Sequence, residues 1–452
     1  MADTIQNTTA YLADFERFAA TAPGRGHRWL ASIRDTAMAR FAELGFPTTR
    51  DEEWRYTNIA PITGTAFARA NGASNGYTDI AIAIEPFTGW DAGGARLVFV
   101  NGRFVSSLSE RGTLPTGITV GSLADALESG SPMTEAHLAQ HAGFEHDALT
   151  ALNTAFLQDG ACIHVAKGTV VETPIHLIFA TTSDGQSLVS YPRNLIVADA
   201  SSQVTVIESH VGLGGEACWT NAVTEIVAGE NAVVDHYKIE RESESAAGGY
   251  HIGTVQLHQY GNSNVTSHTL ALGGALVRNN INTLLDAEGC ASTMNGLYIL
   301  GGSQHVDNHL RVEHAQPRCN SREFFKGVLD DHARGVFAGR IVVHKDAQKT
   351  DAKQTNQNLL LSEDALIDTK PQLEILADDV KCTHGATIGQ VDEDAIFYLR
   401  TRGIAETAAR SLLVYAFASE GLDDVRVPAL RDHLNDLLFA RLPYGEQLRE
   451  AI

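Results

Sequence analysis

A cysteine and a histidine separated by one residue are the side chains of this chain best suited to metal chemistry. They are Cys382 and His384, in the segment 380–390. Residues i and i+2 of an extended segment point to the same face, so this spacing predicts a thiol and an imidazole side by side. Soft and borderline metals prefer such ligands. A structural metal site takes about four ligands, so the others are expected from elsewhere, including another chain.

Taken alone, a Cys-x-His pair is more often structural than metal-binding, because free cysteine behaves by default as a small hydrophobe. The flanking Lys381 is expected to favour the thiolate of Cys382. The remaining cysteines are scattered and form no Cys-x-x-Cys: Cys162, Cys218, Cys290 and Cys319. We predict that these four are buried hydrophobes. Their pattern disfavours a disulfide framework or a self-contained zinc or ferredoxin-type site, and it predicts a reducing cytoplasm.

Histidines also cluster, at His305, His309 and His314. No carboxylate–histidine spacing typical of a metalloenzyme accompanies them, so we predict exposed or hydrogen-bonded histidines on a β surface, with their roles left open.

Composition excludes several functions. The 452 residues suffice for two or three domains, and 34 Lys plus Arg against 55 Asp plus Glu give a net charge of −21. Such a field disfavours nucleic acid and anionic membrane surfaces as partners. No apolar run reaches the ~20 residues of a membrane helix, and the N-terminus lacks signal-peptide features. No phosphate-binding loop or nucleophile elbow occurs, so we expect neither ATP hydrolysis nor hydrolase chemistry.

The elements that must position Cys382 and His384 change character along the chain. Apolar residues recur at helical spacing in the first 44 residues and again around Leu149 and Phe156, while Asn101-Gly102 predicts a hairpin within 96–108. From about Ala161, short runs of β-branched residues alternate with turns, without long helices between them. This pattern fits a parallel β-helix or a sandwich, and periodicity does not separate the two.

Two further local predictions concern the end of the β region and the segment after it. Asn356 and Asn358 are expected to join stacked amide ladders at coil turns. After Gln390 the periodicity is helical, with Asp392 as a cap, Gly403 as a stop, and apolar faces at 412–417 and 430–438. So short a helical tail must pack these faces on the β core, on a partner, or on both.

Three separated sequence blocks resemble the SufB/SufD family of the SUF iron–sulfur cluster assembly system, and within it SufD. The first is Asp51-Glu52-Glu53-Trp54-Arg55-Tyr56-Thr57. The second runs from Phe325 to Pro371 and includes Gly335-Val336-Phe337-Ala338-Gly339-Arg340. The third combines residues 382–387, Cys-Thr-His-Gly-Ala-Thr, with 397–403, Phe-Tyr-Leu-Arg-Thr-Arg-Gly.

The resemblance implies a mainly β fold with flanking helices: a right-handed parallel β-helix core, a helical N-terminal region and a C-terminal helical domain. We place the divisions at 1–95 (N-terminal helices), 96–160 (mixed connector), 161–390 (β-helix) and 391–452 (C-terminal helices). It further implies a non-catalytic scaffold subunit of a cytoplasmic SufBCD complex. That subunit would pair with SufB through the β-helix and carry the ATPase SufC on its C-terminal helices.

By the same resemblance, His384 and Cys382 lie where a transient iron–sulfur cluster is shared with SufB, which supplies a cysteine. Whether a reduced flavin binds in the complex, and whether the isolated chain forms a homodimer, stay open. Three alternatives remain. A SufB-type paralogue would have further cysteine motifs and Glu in place of Gly385. A β-helix carbohydrate-active enzyme would need a signal peptide and a carboxylate-lined cleft. The third is a cytoplasmic β-structured binding protein.

Overall fold

A computed structural model describes residues 2–70, 76–90, 93–183, 185–242 and 248–442, together with 445 and 449. Its α-helices are α1 (Ala2–Ala19), α2 (Arg28–Leu44), α3 (Ala60–Thr63), α4 (Tyr77–Ile84), α5 (Leu123–Glu128), α6 (Pro132–His137), α7 (Ala148–Ala155), α8 (Glu393–Thr401), α9 (Glu406–Ser419) and α10 (Pro428–Arg441). Single 3₁₀ turns span Glu52–Trp54, Glu85–Phe87, Ser106–Leu108 and Glu420–Leu422.

The strands follow in chain order. They are β1 (Ala68–Arg69), β2 (Arg96–Val100), β3 (Arg103–Phe104), β4 (Ile118–Ser122), β5 (Ala161–Val165), β6 (Ile175–Thr181), β7 (Leu188–Ser190), β8 (Arg193–Ala198), β9 (Gln203–Gly212), β10 (Cys218–Ala228), β11 (Val233–Arg241), β12 (Gly249–Gln259), β13 (Asn264–Ala271), β14 (Leu276–Leu285), β15 (Ala291–Leu300), β16 (His305–His314), β17 (Asn320–Leu329), β18 (Arg334–Val343), β19 (Asp351–Leu360), β20 (Leu366–Ile375) and β21 (Lys381–Gly389).

Successive strands from β8 onward alternate between two parallel sheets. Sheet A runs β8-β10-β12-β14-β16-β18-β20, and sheet B runs β9-β11-β13-β15-β17-β19-β21. Each strand therefore pairs with the strand two places on, which is the connectivity of a coil and not of a sandwich. The prediction of a mainly β fold with a parallel β-helix and flanking helices is confirmed. The right hand of the coil stays a prediction.

Most strands of this solenoid are covered on both faces, as parallel strands require. The interior contains large apolar clusters, with Phe325 and Phe337 in contact between the sheets. The N-terminal region packs on the outer face of sheet A, where Trp219 and Ile252 join a cluster with Phe41. The predicted hairpin is present as β2 and β3, with Asn101 and Gly102 both at positive φ, as a two-residue hairpin turn demands.

The block 51–57 also lies on sheet A. Thr57 Oγ1 donates to Asp307 Oδ2 over 2.5 Å, and the Arg278 guanidinium stands 3.8 Å from the centre of the Trp54 ring. Arg278 further donates to the Glu53 carbonyl over 2.7 Å. These buried polar contacts fix the N-terminal segment across the middle coils, so this block has a structural reason for its composition.

The C-terminal helices cover the outer face of sheet B. Val414 and Ala418 of α9, with Leu430, Leu434 and Leu438 of α10, are buried against the strands. Of the three possibilities left open above, packing on the β core therefore accounts for these apolar faces. Asp392 caps α8 as predicted, accepting from the backbone N–H groups of Asp394 and Ala395. Among the described residues, no helix combines the length and hydropathy that crossing a membrane requires.

Candidate functional site

The last strand of sheet B carries both predicted ligands. β21 pairs in parallel with β19, with Cys382 opposite Ala352 and His384 opposite Gln354. In the described residues β21 has no other partner strand, so it is an open sheet edge. Eight of its nine residues are exposed, all but Cys382, and a Cβ built on Gly385 would meet nothing within 4 Å. The predicted placement of the pair on one face at the edge of the β architecture agrees with this geometry.

Backbone polarity gives this edge a defined pattern. Lys381 N–H donates to the Thr350 carbonyl, and ladder bonds in a parallel pair engage every second residue. The intervening residues direct both N–H and C=O towards the open edge: Cys382, His384, Ala386 and Ile388. A partner strand can therefore bond to β21 without breaking a bond within the solenoid.

The adjoining edge of sheet A differs in one residue. Leu366 N–H of β20 donates to the Ala333 carbonyl, so the odd-numbered residues of β20 face outward. One of them is Pro371, which has no N–H to donate. Proline at such a position blunts an edge against strand addition. Of the two terminal edges, the β21 edge is thus the one with an uninterrupted row of donors.

Cys382 is half-buried and packs against the interior apolar cluster at this end of the coil. Burial raises the pKa of its thiol, the Ala352 backbone hydrogen bond lowers it, and Asp351 raises it. The prediction that Lys381 favours the thiolate is wrong, because neighbouring strand residues point to opposite faces and the net shift favours the thiol. An incoming metal must displace this proton.

Beneath His384 lies a row of buried polar side chains that sequence reasoning missed. Gln354 is opposite His384 on β19, and Glu323 is opposite Gln354 on β17. Gln354 Nε2 donates to Glu323 Oε2 over 2.5 Å. Burial raises the pKa of the Glu323 carboxyl to about 7, although the Gln354 bond opposes this. Coil spacing was the available signal, since these residues are 31 and 30 positions apart.

Replacement of Glu323 by glutamine should change how stability depends on pH. A native pKa raised from 4.5 to about 7 favours the protonated native state, so the associated stability is complete below pH 4.5 and disappears as pH rises through 7. Relative to the unmodified chain, Glu323→Gln should gain up to about 3 kcal/mol between pH 4.5 and 8. Denaturant unfolding at several pH values measures this. Glu363→Gln, at an exposed turn, is the control, and parallel pH curves for Glu323→Gln and the unmodified chain would contradict the expectation.

The other predicted cysteines and histidines lie away from this edge. The four scattered cysteines are free and buried, as predicted. His305 contacts Thr57, and His309 bonds to Asp307 and Glu53. His314 faces the interior and bonds to Ser321, so only the hydrogen-bonded part of its prediction is confirmed. The expected amide ladders are wrong, because Asn358 donates to Asn356 along one strand.

Within the described part of the chain, no third His, Cys, Asp or Glu joins Cys382 and His384 in a group close enough to hold one ion. The pair is therefore half of a site at most, and it lies on a surface to which another strand can add. These features define a parallel β-solenoid protein that presents candidate metal ligands on an open sheet edge.

Comparison with known proteins identifies the family to which this β-solenoid protein belongs. The SufBD core domain of SUF-system iron–sulfur cluster assembly matches residues 179–417, and the SufBD N-terminal region matches residues 5–177. The chain belongs to the SufBD family of iron–sulfur cluster assembly proteins and is of the SufD type.

Individual relatives agree along nearly the whole chain. A SufBD family protein of Synechocystis is 34% identical over 91% of this chain and 91% of its own length. The iron–sulfur cluster assembly protein SufD of Escherichia coli is 33% identical over 90% of this chain and 92% of its own. The SufD of Bacillus subtilis is 24% identical, again over 90% of this chain and 92% of its own.

Proposed function

We propose that this chain is the non-catalytic SufD-type scaffold of a cytoplasmic SUF complex. In that complex it pairs with SufB along the β21 edge, carries SufC on its C-terminal helices, and contributes His384 and Cys382 to a nascent iron–sulfur cluster. The observation that carries the proposal is the open edge strand with both ligands in a chain of the SufBD family. The domain divisions 1–95, 96–160, 161–390 and 391–452 are proposed with it.

The incomplete ligand set supports a shared cluster. Cys382 and His384 offer one sulfur and one imidazole nitrogen, and an iron–sulfur cluster needs more ligands than these. Strand addition from SufB at β21 would bring a second chain's side chains to the same edge. The cluster is cargo in this scheme, so an exposed and incomplete site suits release better than a closed cage does.

Free, scattered cysteines support a reducing compartment such as the cytoplasm. A homodimer formed by pairing two β21 edges is the competing assembly for the isolated chain, and partner titration distinguishes it. Binding of reduced flavin is tested by measuring the flavin content of the assembled complex. A SufB-type paralogue would have Glu in place of Gly385. The surroundings of Gly385 are open enough for a glutamate side chain, so packing does not explain the glycine. The glycine therefore weakens the SufB-type alternative.

Helix α8 is the best-supported docking surface for the ATPase. Ile396 anchors the helix on the core, while Phe397 and Tyr398 are 67% and 57% exposed. The apolar faces of α9 and α10 are largely covered by sheet B, so they offer a partner much less than their sequence indicated. Adjacent exposed aromatic side chains are typical of interface hot spots.

Phe397→Asp should weaken binding of the SufC-type ATPase by at least about 30-fold, since an interface aromatic contributes about 2 kcal/mol or more. Pairing with SufB should stay intact, because β21 is untouched. Co-purification and calorimetric titration with each partner measure the two affinities. Ile82→Asp, which changes a 70% exposed residue on α4, is the matched control. Unchanged ATPase affinity in Phe397→Asp would place the contact elsewhere.

A further inference from the structure

Three metal-ligand side chains meet inside the solenoid, far along the coil from β21. His210 lies near the end of β9, Glu242 follows β11, and His251 lies on β12. One ligand atom from each lies within 4.8 Å of the other two, and all three residues are buried. Among the described residues they form the one such group of His, Cys, Asp or Glu.

His210 has one nitrogen committed and one available. Its Nε2 is 2.8 Å from Glu208 Oε1, while its buried Nδ1 has no hydrogen-bond partner among the described residues. Glu208 is itself held by Thr224, whose hydroxyl donates to Oε2 over 2.9 Å. A histidine that donates Nε2–H to a fixed carboxylate exposes the Nδ1 lone pair, which is the arrangement that orients metal-bound imidazoles.

His251 faces the same space from sheet A. Its Nδ1 is 3.1 Å from Glu242 Oε1, and its ring centre is 4.5 Å from that of His210. Its Nε2 has two neighbours, Lys238 Nζ at 2.9 Å and Glu240 Oε1 at 3.1 Å. In one tautomer of His251, Lys238 donates to Nε2 and Nδ1–H donates to Glu242.

The alternative tautomer of His251 has its proton on Nε2 and not on Nδ1. Its Nε2–H would donate to Glu240, while Lys238 keeps Glu240 and Asn279 as acceptors at 2.7 and 2.8 Å. Nδ1 would then face Glu242 with a free lone pair. Two ligand atoms each about 2.1 Å from one ion stand about 3.0–3.4 Å apart, and the observed 3.1 Å lies in that interval.

We propose that His210, Glu242 and His251 bind one divalent first-row transition-metal ion inside the solenoid. Two imidazoles and one carboxylate are the donor set that suits Fe²⁺ and similar ions. A buried charge must be compensated, and here a divalent ion with Lys238 balances the carboxylates of Glu208, Glu240 and Glu242. This site shares no ligand with the Cys382–His384 pair and does not depend on the function proposed above.

A half-exposed histidine cluster elsewhere is the main competitor for added metal. His141 contacts His137 at 3.3 Å and His258 at 3.2 Å, and His258 bonds to Asp286. The nitrogens of His141 face different neighbours, so no single atom from each of these histidines meets at one point. The experiment must nevertheless separate this cluster from the buried triad.

Anaerobic titration of the full chain with Co²⁺, in a Cys382→Ser background, tests the proposal. We expect one bound Co²⁺ with an absorption spectrum free of thiolate-to-metal charge transfer, and X-ray absorption showing two imidazoles among nitrogen and oxygen ligands. Glu242→Gln and His210→Gln should each weaken binding at least about 10-fold. Because all ligands are buried, loading is expected to be slow and to need prolonged incubation.

Matched controls come from the same interior. Glu323→Gln removes another buried carboxyl, and His314→Gln another buried imidazole with an unpartnered Nδ1. Both should bind Co²⁺ like the parent, as should His258→Gln. If a variant of His210 or Glu242 fails to fold, the proposal is tested by the X-ray absorption of Co²⁺ bound to the parent chain alone. No tight Co²⁺ in the parent, unaltered binding in folded Glu242→Gln, or loss of binding in His258→Gln would each overturn the proposal.

Discussion

Replacement of His384 by alanine is expected to remove most of the iron and sulfide that the assembled complex carries, while the complex itself still forms. The side chain is exposed on an edge strand and fills no core, so its loss should cost about 1 kcal/mol of stability or less. Loss of one ligand from a shared site should nevertheless reduce bound iron and sulfide by about 10-fold or more.

The measurement is iron and acid-labile sulfide in the complex, purified without oxygen after co-expression with SufB- and SufC-type partners. His332→Ala, which changes an imidazole with a 70% exposed side chain on a turn of the same solenoid, is the control and should retain full content. Cys382→Ser tests the neighbouring ligand separately. A His384→Ala complex that assembles normally and keeps its iron and sulfide would reduce the motif to a surface feature.

The position of this pair could be predicted from sequence because it depends on one local rule. Strand residues alternate between faces, so Cys382 and His384 had to share a face once the segment was extended. The hairpin at Asn101-Gly102 and the Asp392 cap were predictable for the same reason, since each depends on a few consecutive residues. The fold class followed from the short strands only with the family resemblance.

The features that escaped prediction depend on residues about one coil apart. Glu323 and Gln354 join the row below His384 only because three coils stack in register. His210, Glu242 and His251 meet because strands of both sheets face one interior. The sequence pattern also predicted that Lys381 stabilises the Cys382 thiolate, but adjacent strand residues point to opposite faces. The same pattern could not show that α9 and α10 pack on sheet B.

Pairing with SufB should depend most strongly on the backbone of β21. Ala386 directs its N–H to the open edge, so Ala386→Pro removes one outward donor without removing a bond to β19. An acceptor of the partner strand would then be buried without its donor, which costs about 1–3 kcal/mol. The proline ring would add a steric barrier to close approach, so we expect the SufB complex to be lost at micromolar concentrations.

Ala386→Val isolates that effect, because valine enlarges the side chain, favours a strand and keeps the N–H. Analytical ultracentrifugation with SufB, alongside a melting curve for each variant alone, separates pairing from folding. We expect Ala386→Pro to melt near the parent, since edge strands tolerate proline where the N–H faces solvent. Normal SufB binding by Ala386→Pro would refute strand addition at β21. Failure of both variants would instead indicate that side-chain packing at this position, and not its backbone donor, governs the interface.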